Sequence, residues 1–124
     1  MKLLLDTHVV LWWLDGVSFR AEAEEAIRRP SSIVCVSAAS AWEMGIKAAL
    51  GKLRLPVAFA AHLQAERFTQ LPVRIAHGLE VAALPLHHTD PFDRLLIAQA
   101  RLEGLTIVTR DERLAEYGVP VLAA

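Results

Sequence analysis

Four acidic residues of this chain stand where strand-like runs end or helix-like segments begin: Asp6, Glu43, Asp93 and Asp111. Asp6 closes an apolar run that starts at Met1, and Asp111 closes a similar run that starts at Gly104. Carboxylate oxygens are the ligands that hard cations such as Mg²⁺ and Mn²⁺ prefer. Two unit charges about 4 Å apart repel by roughly 4 kcal/mol at an effective dielectric of about 20, so clustered carboxylates need cations or protons. The pattern predicts a divalent-metal site if the fold brings these acids together.

Helix capping is the competing explanation for two of the acids. Asp90-Pro91-Phe92-Asp93 is typical of an N-cap, a proline at the first helical position and an acid in the first turn. Thr109 and Glu112 suit a capping box, with Asp111 favourably placed near the helix dipole. Taken singly, each of these acids is explained more simply by helix structure than by catalysis.

Glu43 has a structural explanation as well. Ser37 is a natural N-cap for the helix that follows. This helix carries an apolar stripe at helical spacing, formed by Ala39, Trp42, Ile46, Ala49 and Leu53. Ser40, Glu43 and Lys47 share another face, where an exposed Glu43–Lys47 pair would contribute only about 0.2–0.5 kcal/mol.

Strand-like and helix-like segments alternate along the chain, which predicts an α/β fold with a mainly parallel, five-stranded sheet. The predicted strands are Lys2–Asp6, Ser32–Val36, Pro72–Ile75, Leu105–Thr109 and Val119–Leu122. The predicted helices are Val9–Asp15, Ala21–Arg29, Ala38–Leu50, Val57–Phe68, Ala76–Ala83, Pro91–Glu103 and Glu112–Tyr117. With the strand order 3-2-1-4-5, Asp6 and Asp111 would meet in one crevice at the point where the order reverses.

Length, composition and net charge limit the classes of protein to which this chain can belong. The length of 124 residues predicts one domain, residues 1–124, and the hydrophobic fraction of 54% suggests apolar surface reserved for a partner or a second copy. A net charge of −1 argues against a nonspecific nucleic-acid coat but does not exclude a nuclease, because bound metal would neutralise clustered acids. No segment suits a signal peptide or a membrane span, so we expect a cytoplasmic protein.

The cysteine and the histidines receive no chemical role. Cys35 lies in an apolar run and is expected to be a small buried hydrophobe. His87 and His88 are adjacent, so they point in different directions and are expected to be loop residues. The other three, His8, His62 and His77, are scattered, and no pair has the spacing of zinc ligands.

Four motifs in order carry a family resemblance. They are Leu4-Leu-Asp6-Thr7-His-Val-Val-Leu-Trp12, Ser37-Ala-Ala-Ser-Ala-Trp-Glu43, His88-Thr-Asp-Pro-Phe-Asp-Arg-Leu-Leu-Ile-Ala98-Gln-Ala100 and Val108-Thr-Arg-Asp111. Together they resemble the successive motifs of PIN-domain proteins, and more narrowly those of VapC-type toxins from prokaryotic toxin–antitoxin pairs. The resemblance runs from residue 3 to about residue 122.

The resemblance implies a three-layer α/β/α sandwich with Mg²⁺- or Mn²⁺-dependent endoribonuclease activity that leaves 5′-phosphate and 3′-hydroxyl ends. It maps the acidic quartet of the family onto Asp6, Glu43, Asp93 and Asp111 as catalytic and metal-binding residues, with Asp111 the one expected to act through water. Asp90 belongs to a variant of the third motif or is only a helix cap. Thr7 and Thr109 are expected to orient ligands or water through their hydroxyls.

Three arginines flank the acids and are candidates to hold substrate phosphates: Arg94, Arg110 and Arg113. Surface pairing with Glu112 and Glu116 explains them equally well. The resemblance also implies an antitoxin of the VapB type and a homodimer. Trp12, Trp13 and the apolar segment Ala48–Phe68 are candidates for the antitoxin surface, with core packing as the alternative.

Two other function classes remain open from the sequence. One is a PIN-like scaffold that has lost catalysis and only binds a partner, against which the complete acidic quartet argues. The other is a phosphoacceptor receiver domain of similar size and architecture, but the acidic pair, acceptor aspartate and late lysine that it needs are not evident.

Overall fold

The computed structural model describes all 124 residues. Five strands form one sheet: β1 (Lys2–Leu5), β2 (Ile33–Ser37), β3 (Thr69–Leu71), β4 (Thr106–Thr109) and β5 (Val121–Ala123). The α-helices are α1 (Thr7–Leu14), α2 (Ala21–Arg28), α3 (Ala38–Ala49), α4 (Phe59–Ala65), α5 (Ile75–Glu80) and α6 (Pro91–Glu103). Two 3₁₀ helices cover Val81–Ala83 and Glu112–Tyr117. None of the helices is long and apolar enough to cross a bilayer.

The strand order is β3-β2-β1-β4-β5, and every neighbouring pair is parallel. This confirms the predicted order 3-2-1-4-5. Leu4 of β1 lies opposite Cys35 of β2 and Ile107 of β4, so β1 is the centre of the sheet. The chain crosses from one half of the sheet to the other beside β1, and the ends of β1 and β4 meet there.

Side chains of β1 alternate between two hydrophobic layers, because successive residues of a strand point to opposite faces. Leu3 and Leu5 join a cluster that contains residues of α1, α2 and α4. Leu4 joins a second cluster built mainly from α6 and the residues around Tyr117. All three leucines are completely buried. The molecule is therefore the predicted three-layer α/β/α sandwich.

The predicted third strand was wrong. Pro72–Ile75 is not a strand; β3 lies just before it, and Ile75 already begins α5. Pro72 has no N–H to donate to a sheet ladder, which explains why the pairing ends at Leu71. The predicted helix Pro91–Glu103 matches α6 at both ends, and the other remaining strands and α-helices occur with shifted ends. The last predicted helix, Glu112–Tyr117, is a 3₁₀ helix.

The predicted apolar stripe of α3 is only partly buried. Trp42 and Ile46 of the apolar stripe are 62% and 37% exposed. The buried residues on α3 include Ser40, Glu43 and Met44, so this helix turns polar groups toward the interior of the protein. A helix that buries a carboxylate and exposes a tryptophan violates simple amphipathic patterning, which is expected at functional sites rather than in plain structural packing.

A buried glutamine ties α6 to the sheet. The hydroxyl of Ser37 donates to Oε1 of Gln99 (2.6 Å) while accepting from the backbone N–H of Ala39 at the start of α3 (3.0 Å). Nε2 of Gln99 donates to the carbonyl of Pro72 (3.1 Å), just beyond β3. Gln99 is completely buried. Its amide therefore holds α6, the N-terminus of α3 and the edge strand in register.

We expect Gln99→Ala to lower the free energy of unfolding by about 2–4 kcal/mol, because it leaves buried polar groups without partners and opens a cavity. Urea unfolding followed by circular dichroism measures this change. Gln64→Ala, at an exposed position of α4, is the matched control and should change stability by less than about 0.5 kcal/mol. Equal losses in the two variants would contradict a bridging role for Gln99.

Candidate active site

Asp6 follows β1 and occupies the N-cap position of α1, but its side chain makes no capping hydrogen bond. It is 6% exposed, and its Oδ2 accepts a hydrogen bond of 2.6 Å from the hydroxyl of Thr109 at the end of β4. Burial raises the pKa of Asp6, although the bond from Thr109 opposes this shift. Helix capping therefore does not explain Asp6, whose carboxylate is buried without a cationic side chain bonded to it.

Glu43 lies on the buried side of α3 and is 4% exposed. Its Oε1 accepts from the hydroxyl of Thr7 (2.7 Å), which also lies 3.0 Å from the hydroxyl of Ser40. Its Oε2 accepts from Nζ of Lys47 (2.6 Å), and this bond raises the pKa of Lys47. The predicted Glu43–Lys47 pair thus exists, but it compensates a buried charge and is not a surface pair.

Asp93 lies in the first turn of α6, and Asp90 is its N-cap. Oδ1 of Asp90 accepts from the backbone N–H groups of Phe92 (2.8 Å) and Asp93 (3.0 Å), so the capping role predicted for Asp90 is present. The Asp93 carboxylate accepts no capping hydrogen bond from the backbone of α6. Burial, together with the negative charges of Asp6 and Asp90, raises the pKa of Asp93 to about 7. A carboxyl group whose pKa is raised to a value near neutral pH destabilises the fold when it is ionised. Such a shift favours a functional role for Asp93.

His88, to which the sequence analysis gave no role, lies inside the acidic cluster. Its Nε2 is 2.8 Å from Oδ2 of Asp93 and 3.6 Å from Oδ2 of Asp111, and the residue is 8% exposed. Its Nδ1 accepts from the backbone N–H of Asp90 (3.3 Å). Because Nδ1 accepts this bond, the Nε2–H group of the ring is directed to Asp93 as a donor. The sequence feature that indicates this contact is the position of His88 two residues before the N-cap Asp90. A ring at that position can accept from the backbone N–H of the cap residue.

Asp111 is held by the chain itself. Its Oδ1 caps the 3₁₀ helix by accepting from the backbone N–H of Arg113 (3.0 Å). The Arg113 guanidinium binds both carboxylate oxygens, with distances of 3.0 and 2.7 Å, and this contact holds the pKa of Asp111 below its usual range. The backbone N–H of Asp111 donates to the hydroxyl of Thr109 (3.0 Å). Thr109 thus links Asp111 to Asp6.

Arg94 does not lie in the acidic cluster. Its guanidinium donates to the backbone carbonyls of Pro85 (2.9 Å) and Val81 (3.2 Å) and to the hydroxyl of Tyr117 (3.2 Å). These bonds hold the segment that leads into α6. The predicted phosphate-binding role is therefore not supported for Arg94, because its donors are directed to other groups.

One cleft of about 420 Å³ gathers the acids. It is lined by Asp6, His8, Trp12, Asp90, Asp93, Arg110, Asp111 and Arg113. Glu43 lies beside Asp6, close enough for its charge to raise the pKa of that residue. A larger cavity of about 470 Å³ lies elsewhere, against Phe59 and Leu63 of α4, and its lining contains no titratable group. Of these two cavities, only the acidic cleft carries groups that could bind a metal ion.

The donor groups of the cleft fit a hard divalent cation. One ligand atom each from His88, Asp93 and Asp111 lies within 4.8 Å of the others, and Asp6 adds a carboxylate whose charge is felt at Asp93. Glu43 and Asp111 already have cationic partners, whereas Asp6 has none. A cation near Asp6 and Asp93 would offset their repulsion, and the oxygen-rich donor set suits Mg²⁺ or Mn²⁺ better than zinc.

A sequence model of the PIN domain matches residues 3–120 of the chain. The chain belongs to the PIN-domain family. This PIN domain is 31% identical over 121 residues to Ribonuclease VapC22 of Mycobacterium tuberculosis, and the alignment covers 94% of this chain and 92% of that protein. The resemblance stated from the four motifs is thereby confirmed.

Solved structures share the fold of this PIN domain at low sequence identity. VapBC2 from Rickettsia felis, bound to a DNA fragment from its promoter, contains a chain with a TM-score of 0.74 and 12% identity, covering 99% of this chain and 98% of that chain. DNA-bound VapBC from Salmonella typhimurium gives a TM-score of 0.67 and 17% identity, with the same coverage. The cleft of this PIN domain lies where the strand order of the shared fold reverses.

We expect Asp93→Asn to stabilise the metal-free protein, and more so at about pH 8 than at about pH 5. The folded pKa of about 7 lies above the ordinary value of 3.8, so the folded state binds a proton that the unfolded chain has released. The free energy of unfolding therefore falls as the pH rises between these values. Asparagine avoids this loss, about 1–2 kcal/mol at high pH after allowance for solvent screening.

Urea unfolding in the presence of EDTA measures this difference at the two pH values. Glu22→Gln, at an exposed position of α2, is the control and should show little dependence on pH. A destabilised Asp93→Asn protein at the higher pH would show that the carboxylate supports the fold and is not strained within it.

We expect His88→Ala to weaken Mn²⁺ binding by about tenfold, because partners that orient a ligating carboxylate typically contribute 10–100-fold to metal affinity. Calorimetric titration of the purified protein measures this affinity directly. His62→Ala, at an exposed position of α4, is the matched control and should bind Mn²⁺ as the unaltered protein does. Unchanged Mn²⁺ affinity in His88→Ala would leave the histidine with a purely structural role.

Proposed function

We propose that this chain is a Mg²⁺- or Mn²⁺-dependent endoribonuclease and the toxin component of a type II toxin–antitoxin pair. The observation that carries the proposal is the buried Asp6 carboxylate, which neither caps a helix nor pairs with a cationic side chain and shares a cleft with Asp93. Similarity to Ribonuclease VapC22 over nearly the whole chain supports the choice of RNA as substrate.

In this proposal the carboxylates of Asp6 and Asp93 would hold the metal. Asp111 lies beside Asp93, with their ligand oxygens within 4.8 Å of each other. His88 bonds Oδ2 of Asp93, so Oδ1 remains available as a ligand. The bonds from Thr7 and Lys47 fix the Glu43 carboxylate in place beside Asp6. The hydroxyl of Thr109 likewise orients the Asp6 carboxylate through a hydrogen bond. The chain thus supplies oriented carboxylates before any ligand binds, which is the preorganisation that catalysis needs.

The proposed reaction is hydrolysis of an RNA phosphodiester. When bound, the divalent cation supplies Lewis-acid polarisation of the phosphate and activation of the attacking water. A bond forms between the water oxygen and phosphorus, and the bond from phosphorus to the 3′ oxygen breaks. The 3′ oxygen takes up a proton, which leaves a 3′-hydroxyl on one product and a 5′-phosphate on the other.

The proposed partners are a VapB-like antitoxin and a second copy of the chain. Large apolar side chains remain exposed on α3 and in the connection to α4, among them Trp42 (62%), Leu50 (64%) and Val57 (90%). Contiguous exposed apolar surface commonly marks protein interfaces. The fold match to chains of VapBC complexes supports an antitoxin as one of these partners.

The test is cleavage of total bacterial RNA by the antitoxin-free protein in Mg²⁺ or Mn²⁺. We expect fragments that require phosphatase treatment before a polynucleotide kinase can label them, because their 5′ ends carry phosphate. Asp6→Asn and Asp93→Asn should each lower the cleavage rate by at least about 10²-fold, since each removes a metal-ligating charge. EDTA should abolish cleavage of RNA by the unaltered protein.

The partner-binding scaffold is the alternative that this experiment separates from the nuclease. Cleavage that persists in both variants would point to a contaminating nuclease. If the unaltered protein cleaves no RNA and its Mn²⁺ titration shows no saturable binding, the acids serve the fold alone, and the scaffold is the better description.

A further inference from the structure

Two cationic side chains pair with acids of the site, and they differ in how strongly solvent screens them. The side chain of Arg113, which binds Asp111, is 59% exposed. The side chain of Lys47 is 39% exposed, and that of its partner Glu43 is only 5% exposed. Exposed ion pairs are weakened by water and salt, whereas a pair that includes a buried carboxylate is screened much less. Of the two cations, Lys47 therefore acts on its acid with less screening.

The Glu43 carboxylate is held at both of its oxygens. Oε1 accepts from the hydroxyl of Thr7 in the first turn of α1 (2.7 Å), and Oε2 accepts from Nζ of Lys47 one turn further along α3 (2.6 Å). Thr7 directly follows Asp6 in the chain, so the first of these bonds keeps Glu43 beside Asp6. A metal ion that took Glu43 as a ligand would therefore have to share this carboxylate with Lys47.

The charge of Lys47 also acts on the acids of α6. The hydrogen bond to Glu43 raises the pKa of Lys47, and the negative charges of Asp90 and Asp93 raise it as well. The ammonium group thus lies close enough to Asp93 for the two charges to interact. The same positive charge would repel a cation that bound between Asp6 and Asp93.

We infer that Lys47 is a positioning residue that competes with the metal for Glu43 and thereby weakens divalent-cation binding at Asp6 and Asp93. Loss of a positive charge beside a cation site strengthens binding of the cation, because the repulsion between the two charges disappears. Loss of Lys47 also frees Oε2 of Glu43, whose charge the metal alone would then balance. The inference rests on the proposed metal-dependent function, because it takes a divalent cation as the ligand.

The test is calorimetric titration of Mn²⁺ into the purified Lys47→Gln protein, in which the amide keeps an N–H donor but the charge is lost. We expect Mn²⁺ to bind this variant about tenfold more tightly than the unaltered protein, because one positive charge beside the site is removed. A purely structural role for Lys47 predicts the opposite sign, since a loosened carboxylate would weaken the site. Lys47→Arg keeps the charge, so it should keep the Mn²⁺ affinity within about twofold.

Unfolding of the metal-free protein gives a second measurement. Lys47→Gln leaves the buried Glu43 carboxylate without a cation, so its urea midpoint in EDTA should lie below that of the unaltered protein. Addition of Mn²⁺ should then raise the midpoint more in Lys47→Gln, because a ligand that binds the folded state more tightly stabilises it more. Lys2→Gln is the matched control, since Lys2 is exposed at the opposite end of β1 from Asp6. It should leave the Mn²⁺ affinity unchanged.

A double-mutant cycle shows whether Lys47 acts through Glu43. In the Glu43→Gln protein no carboxylate remains for Lys47 to hold, so adding Lys47→Gln should strengthen Mn²⁺ binding by less than about threefold. If the single Lys47→Gln protein is unfolded in EDTA, folding on addition of Mn²⁺ supports the inference. Failure to fold even with Mn²⁺ contradicts it, because Lys47 would then serve the fold alone.

Three other results would overturn the inference: weaker or unchanged Mn²⁺ binding in Lys47→Gln, an equal gain in Lys2→Gln, or an equal gain in the Glu43→Gln background. Failure of the nuclease proposal looks different. In that case the unaltered protein would cleave no RNA in Mg²⁺ or Mn²⁺, yet Lys47→Gln would still bind Mn²⁺ more tightly. Absence of saturable Mn²⁺ binding in both proteins would overturn the inference and the metal-dependent function together.

Discussion

The rest of the site depends on the parallel pairing of β1 with β4, which places Asp6 2.6 Å from the hydroxyl of Thr109. This hydrogen bond is the main direct stabilisation that the protein gives to the Asp6 carboxylate. Thr109 also accepts from the N–H of Asp111, so one hydroxyl sets the separation of two acids. The sheet thus determines the geometry, and the helices α3 and α6 bring the remaining acids to a position that is already fixed.

The protein compensates its acidic cleft unevenly. Glu43 has Lys47, Asp111 has Arg113, and Asp93 has the imidazole ring of His88. Asp6 has a hydroxyl. Buried carboxylates without cations are destabilising, so the side of the cleft that contains Asp6 and Asp93 lowers the stability of the fold. That asymmetry indicates where an external cation would have the largest effect, since it would bind beside carboxylates that form no ion pair with Lys or Arg.

The sequence predicted the strand order because alternating segments, with acids at the ends of the first and fourth strands, suit only a few topologies. It stopped short where tertiary contacts override patterning. Trp42 belongs to an apolar stripe by its spacing, and that spacing does not show that a carboxylate occupies the buried face. His88 does lie in a loop, but its contact with Asp93 could not be read from the sequence, because Asp93 belongs to the next element. The contacts of Arg94 could not be read either, because backbone carbonyls as acceptors leave no mark in the sequence.

The hydrogen bond between Thr109 and Asp6 also joins residues that are 103 positions apart in the chain. During synthesis on the ribosome, Asp6 is therefore made 103 residues before its partner. A contact of such long sequence separation forms late, after most of the chain is available. The acidic cleft therefore has no counterpart in an incomplete polypeptide, and a prematurely terminated chain that lacks β4 would be unable to assemble it.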